Sequence, residues 1–225
     1  MKKVLALIAL AAVVGSAQAT LVYDNIGAPS GLSGATTDAQ TNAIWGDQVT
    51  LASTGKLDTF KMGLFNSSFG GNTGSLLTAV INIKFYNLGS TPYTSGVLGA
   101  PLIGQFNGTV DFGTGLNPDF YSIISFTGLA SLNLTLTQNV MITQQVTSFT
   151  GGTNRLGVMT YSTETVGSSF GADKFYRKNS SAEGLIGFNS PTSNKLAYQV
   201  GIVPEPATLT ILALGAAALI RRRRV

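Results

Sequence analysis

The chain has 225 residues, no cysteine and no histidine, and its 14 basic and 10 acidic residues make up 11% of it, against about 25% in ordinary soluble domains. Disulfides, zinc fingers, thiol nucleophiles and every triad or general base built on imidazole are thereby excluded. The formal charge of +4 resides at the two ends, Lys2 and Lys3 at one and Glu205 with Arg221, Arg222, Arg223 and Arg224 at the other, while the stretch between them holds eight basic and nine acidic residues. A basic nucleic-acid-binding domain is not present, and nucleic acid is not an expected partner.

Met1-Lys2-Lys3 forms a short positive region before the apolar run Val4 to Val14, and Gly15-Ser16-Ala17-Gln18-Ala19 follows with small residues. Residues 1–19 therefore read as a signal peptide engaging the general secretion machinery. Ala17 and Ala19 are the positions read by signal peptidase, and Thr20 becomes the first mature residue. The eleven apolar residues reach only about 16 Å at about 1.5 Å per residue, short of a hydrocarbon core of about 30 Å. An uncleaved membrane helix is the weaker reading.

Residues 20–202 are long enough for one core and contain no Pro-rich or charged linker. Period-two alternation predicts strands in which Phe60, Met62 and Leu64, then Ala79, Ile81, Ile83 and Phe85, then Leu132, Leu134 and Leu136, and finally Leu196, Tyr198, Val200 and Ile202 share a buried face. Further strands are expected at Asp47 to Ala52, Pro101 to Phe106, Phe120 to Phe126, Val140 to Val146 and Arg155 to Tyr161. Turn signals stand at Gly70-Gly71-Asn72, Asn87 to Ser90, Asn107-Gly108, Thr114-Gly115 and Gly151-Gly152. No helical period of three turns interrupts them. The expected fold is all-β, an antiparallel sandwich of the jelly-roll kind; a β-helix would need a fixed repeat, which is not found.

Thr, Ser and Asn dominate the polar positions of this domain, as strand and turn preferences alone would produce. Four Asn-x-Ser/Thr sequons, at Asn66, Asn107, Asn133 and Asn179, are expected by chance at this composition. The acids are Asp24, Asp38, Asp47, Asp58, Asp111, Asp119, Asp173, Glu164 and Glu183. They are scattered, and no pair sits in a local motif of the kind a glycosidase would use. Asp111, Asn117 and Asp119 gather oxygen side chains among glycines, which makes them a weak calcium candidate beside the stronger reading of a polar hairpin loop. Trp45, the one tryptophan, is the aromatic to test for a sugar-stacking role, although tryptophan is usually buried. No cofactor is implied.

Residues 203–225 form a third unit. Pro204-Glu205-Pro206 is an extended joint, a mostly apolar stretch with high helix propensity follows, and Arg221 to Arg224 resist translocation and fix the topology. Proline-glutamate-proline, short hydrophobic helix and arginine cluster, in that order, resemble the PEP-CTERM sorting signal of exported proteins of Gram-negative bacteria. The resemblance implies recognition of Pro204, Glu205 and Pro206 by an exosortase, a membrane-embedded peptidase or transpeptidase. A membrane-anchored precursor in the inner membrane would then be delivered to the cell surface or extracellular matrix. The alternative is an unprocessed single-span anchor. Two internal passages, Ile44 to Val49 and Val166 to Ser169 with Asp173 to Arg177, are similar to other exported PEP-CTERM proteins and imply a similar sandwich without an activity. The sequence thus points to a non-enzymatic exported protein. Its rivals are a carbohydrate-binding or adhesive module in the exopolysaccharide and, further off, a polysaccharide hydrolase or lyase.

Overall fold

The computed structural model describes residues 19–26, 35–36, 43–68, 71, 73–153, 156–161, 164–171, 174–179, 182–186 and 195–203. The signal-peptide residues up to 18, Asp38, Asp173, the Pro-Glu-Pro motif, the apolar tail and the arginines lie outside them. In chain order the strands are β1 (Thr20–Asp24), β2 (Ala35–Thr36), β3 (Ile44–Thr50), β4 (Gly55–Asn66), β5 (Leu76–Asn87), β6 (Leu102–Leu116), β7 (Phe120–Phe126) and β8 (Thr135–Leu136). There follow β9 (Asn139–Gly151), β10 (Leu156–Val158), β11 (Thr160–Tyr161), β12 (Ser168–Ser169), β13 (Phe175–Lys178), β14 (Glu183–Ile186), β15 (Lys195–Leu196) and β16 (Tyr198–Val203).

Eight of these strands make the frame. One sheet runs β1-β16-β4-β7 and the other β3-β9-β5-β6, with every pairing antiparallel. The chain passes between the sheets in the order that generates two Greek keys, which is the jelly roll. The remaining strands are extensions. β10 and β2 continue the first sheet beside the end of β4, β8 pairs with the start of β4, and β12, β13 and β14 flank β3 in the second.

The alternating stripes meet between the sheets. Phe60 of the first sheet, tilted against Tyr198 of the same sheet at 5.4 Å, lies edge-on to Phe85 and Phe106 of the second at centroid distances of 5.7 and 6.3 Å. Phe126 closes the cluster edge-on to Phe106 at 5.3 Å. Ala79, Ile81, Ile83 and Phe85 are fully buried, as are Met62, Val200 and Ile202. This places the predicted stripes of β4, β5 and β16 in the core.

Three expectations need correction. Leu132 to Leu136 is not one strand: a 3-10 helix covers Leu129–Leu132, Asn133 turns left-handed at φ 55°, and only Thr135–Leu136 pairs. Asn107-Gly108 is not a turn but the middle of β6, where a Cβ on Gly108 would overlap the Phe126 ring. That glycine serves close packing between sheets. Thr114-Gly115 does not end β6 either. Leu76 pairs with Leu116 and Thr78 with Asp111, so the intervening residues of β6 loop out as a bulge through Gly113 and Gly115, both at positive φ.

Candidate functional site

Both ends of the described domain emerge together. Thr20 opens β1 opposite Ile202 near the end of β16, and Val203 lies opposite Lys56 at the start of β4. The residue following the predicted signal-peptide cleavage and the residue preceding the Pro-Glu-Pro motif therefore leave the first sheet side by side. Ala19 is exposed there. The Pro-Glu-Pro motif begins at Pro204, one residue beyond that strand.

A buried polar cluster joins β1, β3 and β16. Asp47, 4% exposed, points inward from β3 and accepts hydrogen bonds from the Leu196 N–H at 2.8 Å and the Gln48 N–H at 2.8 Å. Burial pushes its carboxyl up to about 8, against the pull of those two N–H groups; Glu164 pushes it further up and Lys195 opposes. Asn25 brackets the same segment, donating to the Leu196 carbonyl at 2.7 Å and accepting from the Tyr198 N–H at 2.8 Å. Glu164 meets Lys195 at 2.5 Å and Ser169 at 2.7 Å. Burial raises the Glu164 carboxyl, but the Lys195 and Ser169 hydrogen bonds outweigh it and hold it below its ordinary value. Among the described residues the buried hydroxyls of Tyr23 and Tyr198 find no hydrogen-bond partner. Burial, reinforced by Asp47, raises both phenols. Asp47 and Glu164 both fasten β15 and its surroundings, through the Leu196 N–H and the Lys195 ammonium. The arrangement is a clasp.

The weak calcium candidate is a set of turn contacts. Asp111 accepts from the Gly113 N–H at 2.8 Å, Asn117 from the Ser75 hydroxyl at 2.7 Å, and Asp119 from the Ser68 N–H at 3.1 Å. Hydrogen bonds from Ser68 hold Asp119 below the ordinary carboxylate range. Among the described residues no three His, Cys, Asp or Glu side chains gather to hold a metal. A groove of about 570 Å³ lies nearby between the bare edges of β6 and β7, lined by Val110, Asp111, Phe112, Leu116, Tyr121 and Ser122 among others. Phe120, 62% exposed, and Tyr121, 41% exposed, stand on β7 beside it.

Trp45 does not face a ligand. It is 5% exposed, tilted against Phe175 at 5.2 Å, and the Arg177 guanidinium lies 5.8 Å from its ring centroid. Its place on β3 decides this: Trp45, Asp47 and Val49 share the inward face. Sequence reasoning also overlooked Asn66. This residue, fully buried, donates to the carbonyls of Gly74 and Leu116 and accepts from the Thr153 hydroxyl at 2.6 Å. It ties three loops together, and its burial removes the sequon from reach.

A family model described as the PEP-CTERM protein-sorting motif matches residues 203–224. No curated protein and no solved structure matches the chain. The matched segment begins where β16 ends and covers the Pro-Glu-Pro joint, the apolar stretch and the arginines. The chain therefore carries a C-terminal PEP-CTERM protein-sorting motif and is an exosortase-sorted exported protein.

Proposed function

We propose that the protein is a non-catalytic component of the cell surface or extracellular matrix, cut at its Pro-Glu-Pro segment and handed on as a folded jelly roll. The observation that carries this reading is the adjacency of the two ends: Thr20 and Val203 leave neighbouring strands of one sheet. A domain folding outside the inner membrane can complete β1, β16 and β4 while still held by the tail, because the eight described strands of the frame all precede Pro204. The non-catalytic part is supported by where the acids go. Asp47, Glu164, Asp111 and Asp119 each hold backbone or side-chain donors of their own fold.

Intact mass spectrometry of the protein from exosortase-containing cells tests the reading. A mature species that starts at Thr20 and lacks Arg221 to Arg224 is expected. Retention of the arginines overturns the processing step. A Glu205→Ala variant is expected to stay with the membrane fraction. A second reading, a glycan-binding matrix protein, is favoured by one specific observation, the exposed amides of Gln105 and Asn107 on the outer face of β6.

A further inference from the structure

Sheet two turns its apolar stripe inward, so the alternate residues of β5, β6 and β9 form its outer face. Register places Gln105, Lys84 and Thr143 in one row across β6, β5 and β9, and Asn107, Asn82 and Gln145 in the next. These rows contain four amides, one hydroxyl and a single charge; Gln105 and Asn107 are exposed, Lys84 and Gln145 half-buried, and Asn82 and Thr143 buried. Asn82 donates its amide to the Asn107 side-chain oxygen at 2.8 Å, fixing Asn107 in place. Among the described residues no carboxylate lies within ion-pair distance of the Lys84 ammonium; the acids that form ion pairs there, Glu164 and Glu183, are taken by Lys195 and Lys178.

One border of this face is a wall of tyrosines. Tyr86 stands one row beyond Lys84 on β5, and Tyr93 stands edge-on to Tyr176 with centroids 5.6 Å apart. The loop bearing Tyr93 is pinned to the sheet. Gln48 exchanges two hydrogen bonds with the Tyr93 backbone at 2.6 and 3.0 Å, and Glu183 accepts from the Leu98 N–H at 2.7 Å and from the Tyr176 hydroxyl at 2.8 Å. The wall is therefore held independently of any ligand.

Among the described residues the other sheet offers no comparable surface. Phe65, Met159 and Ala197 form a small apolar cluster on its outer side, with Ile26 and Ile123 packed against it. Lys56, Asp58 and Lys61 of β4 mix their charges.

We infer that the outer face of sheet two binds an acidic polysaccharide: Gln105 and Asn107 meet sugar hydroxyls, Lys84 meets a carboxylate, and Tyr86 and Tyr93 border the chain. The argument is charge and chemistry together. Amides both donate and accept, which suits hydroxyl-rich chains. A cation without a carboxylate partner in a neutral field suits a polymer carrying spaced anions. An anionic lipid surface is the poorer occupant, because the two rows present no apolar side chain to insert. The inference rests on the protein being exported, and the mass-spectrometric test of the tail decides that separately.

The test is affinity electrophoresis and calorimetry of the purified mature protein with polygalacturonate, with neutral dextran, and with phosphatidylglycerol vesicles. Polygalacturonate is expected to bind and the other two are not. Lys84→Gln is expected to weaken binding about tenfold, the loss of one charge-assisted hydrogen bond. Asn107→Ala is expected to weaken it severalfold, and Lys56→Gln on the opposite sheet is expected to leave it unchanged. Circular dichroism confirms that each variant is folded. The inference is overturned by absence of polygalacturonate binding, by equal affinity for dextran or preference for vesicles, or by Lys56→Gln weakening binding as much as Lys84→Gln.

Discussion

The two ends of the sandwich interior are held by different forces. Around Phe60, Phe85, Phe106 and Phe126 the sheets adhere through aromatic area, with edge-on rings and no polar atom required. Around Tyr23, Asp47 and Tyr198 they adhere through directed contacts, with Asp47 and Asn25 gripping the backbone on either side of Ala197. Area is forgiving about register, and a clasp is not. The late-arriving strand β16 pairs with β1 and β4 only after the insertion that follows β9, and the polar end specifies where it docks. That specification has a visible cost in the unpartnered hydroxyls of Tyr23 and Tyr198.

The comparison can be broken at five places, taken from the largest effect to the smallest. Phe60→Ala removes the ring shared by three neighbours and is expected to lower unfolding stability by about 3–5 kcal/mol in a urea titration; a loss below about 1 kcal/mol would show that area does not govern that end. Asn25→Ala strands the Leu196 carbonyl and the Tyr198 N–H, for a loss of about 2–3 kcal/mol by the same measurement.

Asp47 gives a pH signature. Its folded carboxyl titrates at about 8 against an ordinary 3.8, so the protonated form is favoured in the fold. Its contribution to stability is full below about pH 4 and falls as the pH rises toward about 8. Asp47→Asn is expected to flatten this slope in melting temperature. Identical profiles for both proteins would mean that the carboxyl ionises freely in the fold. Glu164, held low by Lys195, acts in the opposite sense, losing its contribution as the pH falls. Tyr198→Phe deletes an unpaired buried hydroxyl and is expected to raise stability by about 1 kcal/mol, which in a domain of this size is about 2–4 °C in melting temperature. The smallest effect belongs to calcium: adding it in excess to chelated protein is expected to leave the melting temperature unchanged, since Asp111, Asn117 and Asp119 already hold local donors. A rise of several degrees would restore the calcium site.

Much of the frame was legible because it rests on period-two stripes. β7 was predicted at its observed bounds, and the inward residues of β5 and β16 were readable from alternation alone. What alternation misread were glycines and leucines with another purpose. Gly108 looks like a turn residue until the Phe126 ring is placed against it, and Leu132 alternates with Leu134 although a left-handed Asn133 separates them. The tail motif was readable because its order of parts is local in sequence. The clasp was not, since Asp47 and Leu196 are 149 residues apart, and no local spacing announces such a contact. The row of amides around Lys84 likewise needs the pairing of three strands before it exists as a surface.

The adjacency of the two ends has a mechanical meaning. β16 is flanked on both sides, by β1 and by β4, and the sorting tail follows it in sequence. A pull on the tail along the strand axis therefore loads the hydrogen bonds to both neighbours in shear, all at once, instead of peeling them in sequence. An edge strand in the same place would be held by the hydrogen bonds to one neighbour alone. While the tail remains attached to the membrane, the domain hangs from the part of its sheet best arranged to resist being drawn out.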